Sequence, residues 1–435
     1  MPAAACHRKP AVSVFLGIPL VTVTYVTLRR GFELAPIRFS DDVRRRLTAV
    51  DRLREVWASH PTRRPGQQEG EVQRRFFRRH MLELHALSGA DPLPEATVRH
   101  LVAGGWESAE IDAATRERFR RTEEALLAMA EDCRAGQALT PDYLEYLARR
   151  LPAGGEPTSI TEGFSDEIAA AATVDTHPII RAAHLYVACE RALMATAQAP
   201  PEQAPPWHWL LPWAVASFSL MRANYPPLVM DRRLAGAPHR PDAEEHLGVV
   251  VELFIGLQTA AMRGELSWTP TGPGRSAATG ALGTTIHRRL LEHMRGCAAS
   301  LTPVLREIDA NARTAVGEGA GPEPPALRAR LEAAAERALF LPGPECRWVE
   351  LTATVAGTTV SLVVAVQDVG TPATGVLAVT ADARHGEAGG GHDMLDLAST
   401  DCVTIIPADS ADERQGDVVA FVDDTVSRTV EQLMA

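Results

Sequence analysis

Residues 176–230 read THPIIRAAHLYVACERALMATAQAPPEQAPPWHWLLPWAVASFSLMRANYPPLVM. Two apolar runs, rich in Ala and Leu, flank a proline-rich segment and end on Asn224-Tyr225-Pro226-Pro227. Each run is long enough for a helix, so helices are expected over 178–194 and 209–223, adjacent and buried on their apolar sides. Pro200, Pro201, Pro205 and Pro206 in the intervening segment lack N–H groups, which argues against an anion nest of backbone amides there.

Two matches in this stretch resemble the core of the Fic family. One is His177-Pro178 followed by an Ala-rich helix ending near Arg191, and the other is the second apolar helix running into Asn224-Tyr225-Pro226-Pro227-Leu228-Val229. The family transfers a nucleotide part, usually AMP, onto a hydroxyl. Between the two helices it places His-Pro-Phe-x-(Asp/Glu)-Gly-Asn-Gly-Arg-x-x-Arg, whose His is the general base. Its glycines open a helix whose N–H groups hold phosphates. This chain has no such run. Counting back from Tyr225 puts Glu202 at the His, Trp207-His208-Trp209 over Gly-Asn-Gly, and Leu210 and Trp213 at the two Arg positions. Counting forward from His184 puts Arg191 or Ala192 at the His. Neither register supplies base, glycine cradle and arginines together. Upstream, residues 87–95 sit where many Fic proteins carry an inhibitory helix, without a clear counterpart of its Glu, and residues 138–144 resemble the helix start before the core.

The resemblance implies a mainly α fold with a degenerate Fic-like core, acting as a binding or regulatory module and not as an AMP transferase. The alternative is a repurposed nucleotidyl or other group transferase using the same inter-helix cleft. Candidate catalytic residues are His184, Glu202 and His208, and candidate ligand-binding residues are His177, Arg191, Trp209, Trp213 and Tyr225. His177, His184 and Arg191 are spaced by seven and share a helix face. Each also has a plainer reading: His177 as a helix cap, His184 as a core histidine and Glu190-Arg191 as a solvated pair. Trp207, Trp209 and Trp213 form a cluster that reads as core packing or as a stacking wall. No cofactor is expected, a nucleotide lacking a phosphate loop to hold it.

The 435 residues suffice for several cores, and 46% hydrophobic content with 32 Gly and 31 Pro indicates globular protein with many turns. Lys+Arg 44 against Asp+Glu 55 gives a net charge of -11. That balance excludes general nucleic-acid binding, which relies on cation excess; the implied partner is a protein or a small molecule. Arg44-Arg45-Arg46 and Arg74-Arg75-Phe76-Phe77-Arg78-Arg79 concentrate positive charge, and such runs read first as solvated helix faces. Six cysteines without a Cys-x-x-Cys pair suggest neither a zinc site nor a disulfide framework, which fits a reducing cytoplasm. The arginine-over-lysine and alanine bias resembles a GC-rich bacterial source.

Residues 11–28 form an uncharged run, but Thr alternates with apolar residues over 21–28 and Gly17 and Pro19 interrupt it. Short strands are favoured there over a membrane span. The chain divides into an N-terminal β-hairpin segment (1–38), a helical region (39–155), the Fic-like core (156–270), a linker with helices (271–345) and a small α/β domain (346–435). Within these, Ser40 begins a helix to Trp57, a helical pattern over 72–150 breaks at Gly89, Gly104-Gly105 and Gly136, and helices are expected over 284–315 and 325–339. Strands are expected over 347–355 and 358–369 around an Ala356-Gly357 turn, then at 375–380 and 402–406, with a closing helix on one face of the sheet.

Metal and nucleophile motifs are missing. His80, Glu83 and His85 lack the zinc-protease order and read as a charged helix face. His287 and His293 stand six apart, not at i, i+4. The glycine-rich 386–392 lacks the end of a P-loop, and no Gly-x-Ser-x-Gly is present. No metal site is expected.

Overall fold

A computed structural model describes residues 39–59, 67–87, 93–151, 168, 171–173, 175–196, 210–234, 243–268, 277–320, 324–370, 374–386 and 392–434. The expected N-terminal hairpin, the run at 11–28 and most of the glycine-rich 386–392 lie outside them.

Five helices open the described chain: α1 (Asp41–Ala58), α2 (Gln67–Leu87), α3 (Glu95–Gly104), α4 (Ala113–Arg134) and α5 (Pro141–Arg150). Their starts follow local chemistry. Ser40 Oγ accepts the Val43 N–H at 3.2 Å, Asp112 Oδ1 the Thr115 N–H at 2.8 Å, and Thr140 Oγ1 the Tyr143 N–H at 3.3 Å ahead of Pro141. Each cap satisfies a donor that the first turn leaves without an intrahelical partner. Phe119, Leu126 and Met129 of α4 all turn into the core as their spacing requires.

The apolar runs that decide the fold form α6 (Pro178–Thr196) and α7 (Leu210–Arg222), which pack against each other. Every residue of α7 from Leu210 to Leu220 is buried, as an all-round apolar helix must be. Next comes α8 (Ala243–Ser267), packed on α1 and α6. It is long and apolar enough to cross a membrane by length and composition, but 72% of that window is buried inside the protein.

The C-terminal part adds α9 (Ala277–Ile308), β1 (Arg313–Ala320), α10 (Pro325–Arg337), β2 (Pro342–Val355), β3 (Thr358–Val369), β4 (Leu377–His385), β5 (His392–Asp393), β6 (Val403–Ile405) and α11 (Ala411–Met434). The strands form one antiparallel sheet in the order β1-β2-β3-β4, with β5 and β6 both on the far edge of β4. Ala356 and Gly357 make the expected tight turn between β2 and β3, with φ of 50° and 82°. Positive φ at both positions matches the right-handed twist of the strands. The protein is thus mainly helical, with a small α/β unit at its C-terminal end.

Three expectations change. First, 313–320 is a strand, where a helix end and a glycine linker were expected. Gly319 faces Trp348 across the pair, and a Cβ there would lie 2.5 Å from the indole; this glycine makes room for an aromatic neighbour. Second, helices cover both faces of the sheet. Leu362, Val364 and Val366 of β3 pack with α9 and α11, whereas Val363 and Ala365 pack with Leu331 of α10. An unbroken apolar strand is the signature of two covered faces. Third, the arginines and histidine of α2 are not a solvated face: Arg78, His80 and Glu83 are buried. The Arg78 charge is met by a carboxylate of another helix, its Nε donating to Glu123 of α4 at 2.9 Å.

Buried polar links tie the sheet to the helices. Arg263 of α8, 1% exposed, donates to the carbonyl oxygens of Ala338 and Ser399 and to Thr404 Oγ1. Asp231 accepts the Ser399 N–H at 2.6 Å.

Candidate functional site

The loop joining α6 to α7, with Glu202, His208 and Trp209, lies outside the described residues. Of the other sequence-predicted residues, His177 and Tyr225 are brought together, and Asp51 of α1 joins them. His177 Nδ1 accepts the Ile179 N–H at 3.2 Å, so the ring proton sits on Nε2, which donates to Asp51 Oδ2 at 3.2 Å. The Tyr225 hydroxyl donates to the other oxygen of Asp51, and Arg54 lies 4.7 Å over the Tyr225 ring. Burial, then the hydrogen bond to Asp51 and its charge, push the Tyr225 hydroxyl upward, against the pull of Arg54.

This cluster holds α1 to the start of α6. A general base needs an unengaged lone pair within reach of a substrate proton. The Nδ1 lone pair of His177 is committed to the helix start, so His177 serves as a cap.

His184 is half-buried on α6, and its pKa is lowered by burial and by the charge of Arg191, which is itself exposed. That keeps the imidazole neutral near pH 7. Trp213, 1% exposed, lies elsewhere, stacked on His80 of α2. His80 Nδ1 accepts the Met230 N–H at 3.3 Å, and burial lowers its pKa well below the usual value. Trp213 Nε1 and His80 Nε2 have no hydrogen-bond partner among the described residues.

A cavity of ≈ 530 Å³ opens where α2, α3 and α8 meet the turn between α10 and β2. Its polar wall carries Arg75, Arg79, Arg99, Glu265, Glu332 and Glu336, and its apolar wall includes Phe76, Trp268 and Phe340. The turn is built by close backbone approach. Leu339 has φ 59°, Phe340 N–H returns to the Ala335 carbonyl at 3.0 Å, and a Cβ on Gly264 would meet the Leu339 carbonyl oxygen at 2.5 Å.

Each arginine of the wall has a carboxylate. Arg75 grips Glu265 with two nitrogens, Arg79 Nε lies 2.9 Å from Glu83, and Arg99 lies 3.4 Å from Glu336. The charges are therefore fixed in place before any ligand arrives. Among the described residues, no His, Cys, Ser, Thr or Lys lines the cavity. Its described wall offers forked donors, carboxylate acceptors and aromatic surface.

No protein-family model matches the chain, and no curated protein matches it. Among solved structures it is similar to a Fic domain containing signaling protein from Bacteroides thetaiotaomicron. The identity is 13%, the match covers 50% of this chain and 94% of that chain, and the TM-score is 0.35.

Sequence reasoning missed Asp51 and the whole cavity. Asp51 carried no signal of its own, being one acidic residue in a charged helix. The one visible clue to the cavity was the arginine run 74–79, whose two phenylalanines face inward: Phe76 and Phe77 are 5% and 0% exposed.

Proposed function

We propose that this chain is a binding or regulatory module built on a degenerate Fic-like core, that it does not transfer AMP, and that it binds a small molecule in the cavity between α2, α3, α8 and the α10–β2 turn. The cavity carries this reading. At ≈ 530 Å³ it falls in the range of sites for metabolite-sized ligands. Its paired arginines and glutamates beside Trp268, Phe76 and Phe340 suit a ligand with an aromatic or apolar body and a polar group that can both give and accept hydrogen bonds. The sequence supports the loss of transfer chemistry, since no register of 176–230 supplies base, glycine cradle and paired arginines.

A repurposed transferase is the second reading, favoured by one observation: His184 is kept neutral by burial and Arg191, as a base must be. In that reading Glu202 and His208 join it in the cleft. A reducing cytoplasmic setting and the five-part division of the chain belong to the same proposal.

The test is a thermal-shift screen of nucleotides and metabolites. A ligand that binds only the native state raises the melting temperature by mass action. A hit whose shift is abolished in Arg99→Ala supports the cavity. A hit insensitive to Arg99→Ala but lost in His184→Ala moves the site to the cleft and overturns the cavity reading.

A further inference from the structure

Helices α9 and α11 lie side by side over one face of the sheet, and three donor atoms of different kinds meet on their outer side. His293 and Cys297 stand at i, i+4 on α9, and Asp423 reaches them from α11. His293 Nε2 lies 2.7 Å from Asp423 Oδ1, Cys297 Sγ lies 3.7 Å from His293 Nε2, and Cys297 Sγ lies 3.9 Å from Asp423 Oδ1. We propose that His293, Cys297 and Asp423 form a binding site for a zinc-type divalent ion that clamps α9 to α11.

The geometry fits such an ion. Tetrahedral zinc bonds nitrogen and oxygen at about 2.0 Å and sulfur at about 2.3 Å, which sets its ligand atoms roughly 3.3 to 3.8 Å apart. The 3.7 Å separation lies inside that range and the 3.9 Å one within about 0.1 Å of it. The third is a hydrogen bond that opens by about half an ångström when the ion replaces the shared proton. The donor set also selects the metal: imidazole, thiolate and one carboxylate favour zinc and its borderline neighbours over magnesium or calcium, which prefer oxygen alone.

Access is open. The His293 side chain is 27% and the Asp423 side chain 55% exposed, so an ion enters from solvent and keeps water as its fourth ligand. A zinc ion is bound by the thiolate and not the thiol, so binding displaces the Cys297 proton and affinity rises with pH. The sequence alone points away from a metal because it holds no Cys-x-x-Cys, His-Glu-x-x-His or i, i+4 His–His pair. The pair that matters is a His and a Cys one turn apart, completed by a carboxylate from 126 residues downstream of the cysteine.

The experiment uses the full chain, stripped with chelator, titrated with zinc by calorimetry and with cobalt(II) by absorbance. One ion per chain is expected, with a thiolate-to-cobalt charge-transfer band and a zinc-dependent rise in melting temperature. The band should vanish in Cys297→Ser. Zinc affinity should fall by at least about tenfold in His293→Ala and in Asp423→Asn, since even outer partners of a ligand are worth that much. These positions are partly or fully exposed, and circular dichroism of each variant without metal should match the parent chain. Absence of saturable binding by the parent chain overturns the proposal, as does a cobalt band that persists in Cys297→Ser.

Discussion

The imidazole of His80 lies flat against the indole of Trp213, with ring centroids 3.3 Å apart and planes 13° from parallel. This stack joins α2 to α7 at the centre of the helical core, where both residues are essentially inaccessible. Trp213→Ala removes one of the largest side chains of that core and leaves a cavity against His80, so it should cost about 3 to 5 kcal/mol of stability. Chemical denaturation of parent and variant measures it. A near-neutral change with loss of ligand binding would identify Trp213 as a recognition surface, and the packing role would be abandoned.

The same histidine should make the protein acid-sensitive. Burial lowers the His80 pKa well below its unfolded value of about 6.5. A lowered folded pKa means that the unfolded chain takes up the proton first. Stability is therefore full above about pH 6.5 and falls as pH drops below it, by up to about 1.4 kcal/mol per pH unit for each such proton. His85 and His184 shift in the same direction, each chiefly through burial. Unfolding free energies measured between neutral pH and mild acid should show this slope, and His80→Gln should flatten it. An unchanged slope in His80→Gln would exclude His80 as its source.

What could be read from the chain was what neighbours in sequence decide. Ser40, Thr140-Pro141 and Ala356-Gly357 announce their caps and turn because the partners lie within four residues. Helices α6 and α7 follow from apolar runs too long for strands. What could not be read was decided across space. Gly319 looks like part of a linker until Trp348 is set opposite, and Arg75 and Arg78 look solvated until Glu265 and Glu123 arrive from other helices. The cavity is assembled from α2, α3, α8, α10 and the start of β2, so no single segment betrays it. His177 and Tyr225 were each singled out in the sequence, but neither their meeting nor Asp51 between them was legible.

Asp382 of β4, 0% exposed, should be a keystone of the C-terminal unit. Its carboxylate accepts from Arg330 Nε at 2.7 Å, Arg337 Nη2 at 2.9 Å and Arg384 Nε at 3.2 Å. Burial raises its pKa, but the hydrogen bonds from Arg337 and Arg330 outweigh that and hold the carboxyl below its ordinary value. The stability it contributes is present above the unfolded pKa of about 3.9 and is lost as pH falls through the folded one. Asp382→Ala strands arginines that are mostly buried and should cost about 3 to 5 kcal/mol. A loss below about 1 kcal/mol would mean that water or rotation satisfies the arginines instead.

Transfer chemistry should be lacking. Loss of a general base alone typically slows such reactions about 100 to 10,000-fold, and the sequence 176–230 holds no Gly-Asn-Gly run to cradle phosphates. Purified protein incubated with labelled ATP or other nucleotides should label neither itself nor candidate proteins. Labelling that disappears in Glu202→Ala or His208→Ala would refute the inert reading and establish a repurposed transferase.

Two substitutions at the cavity should separate ligand binding from stability. Arg99 and Glu336 pair at 3.4 Å with side chains 45% and 37% exposed, and exposed pairs contribute about 0 to 1 kcal/mol. Arg99→Ala should therefore unfold almost as the parent chain does while losing the ligand-induced thermal shift. Gly264 is the opposite case. A methyl group there would sit 2.5 Å from the Leu339 carbonyl oxygen, so Gly264→Ala must push α8 from the α10–β2 turn. Such overpacking costs about 1 to 3 kcal/mol and distorts the wall that Trp268 and Phe340 share, so the variant should lose both stability and ligand response. If Gly264→Ala were as stable as the parent chain and still bound the ligand, the close backbone contact would not shape the cavity, and the site would have to be sought in the cleft beside His184.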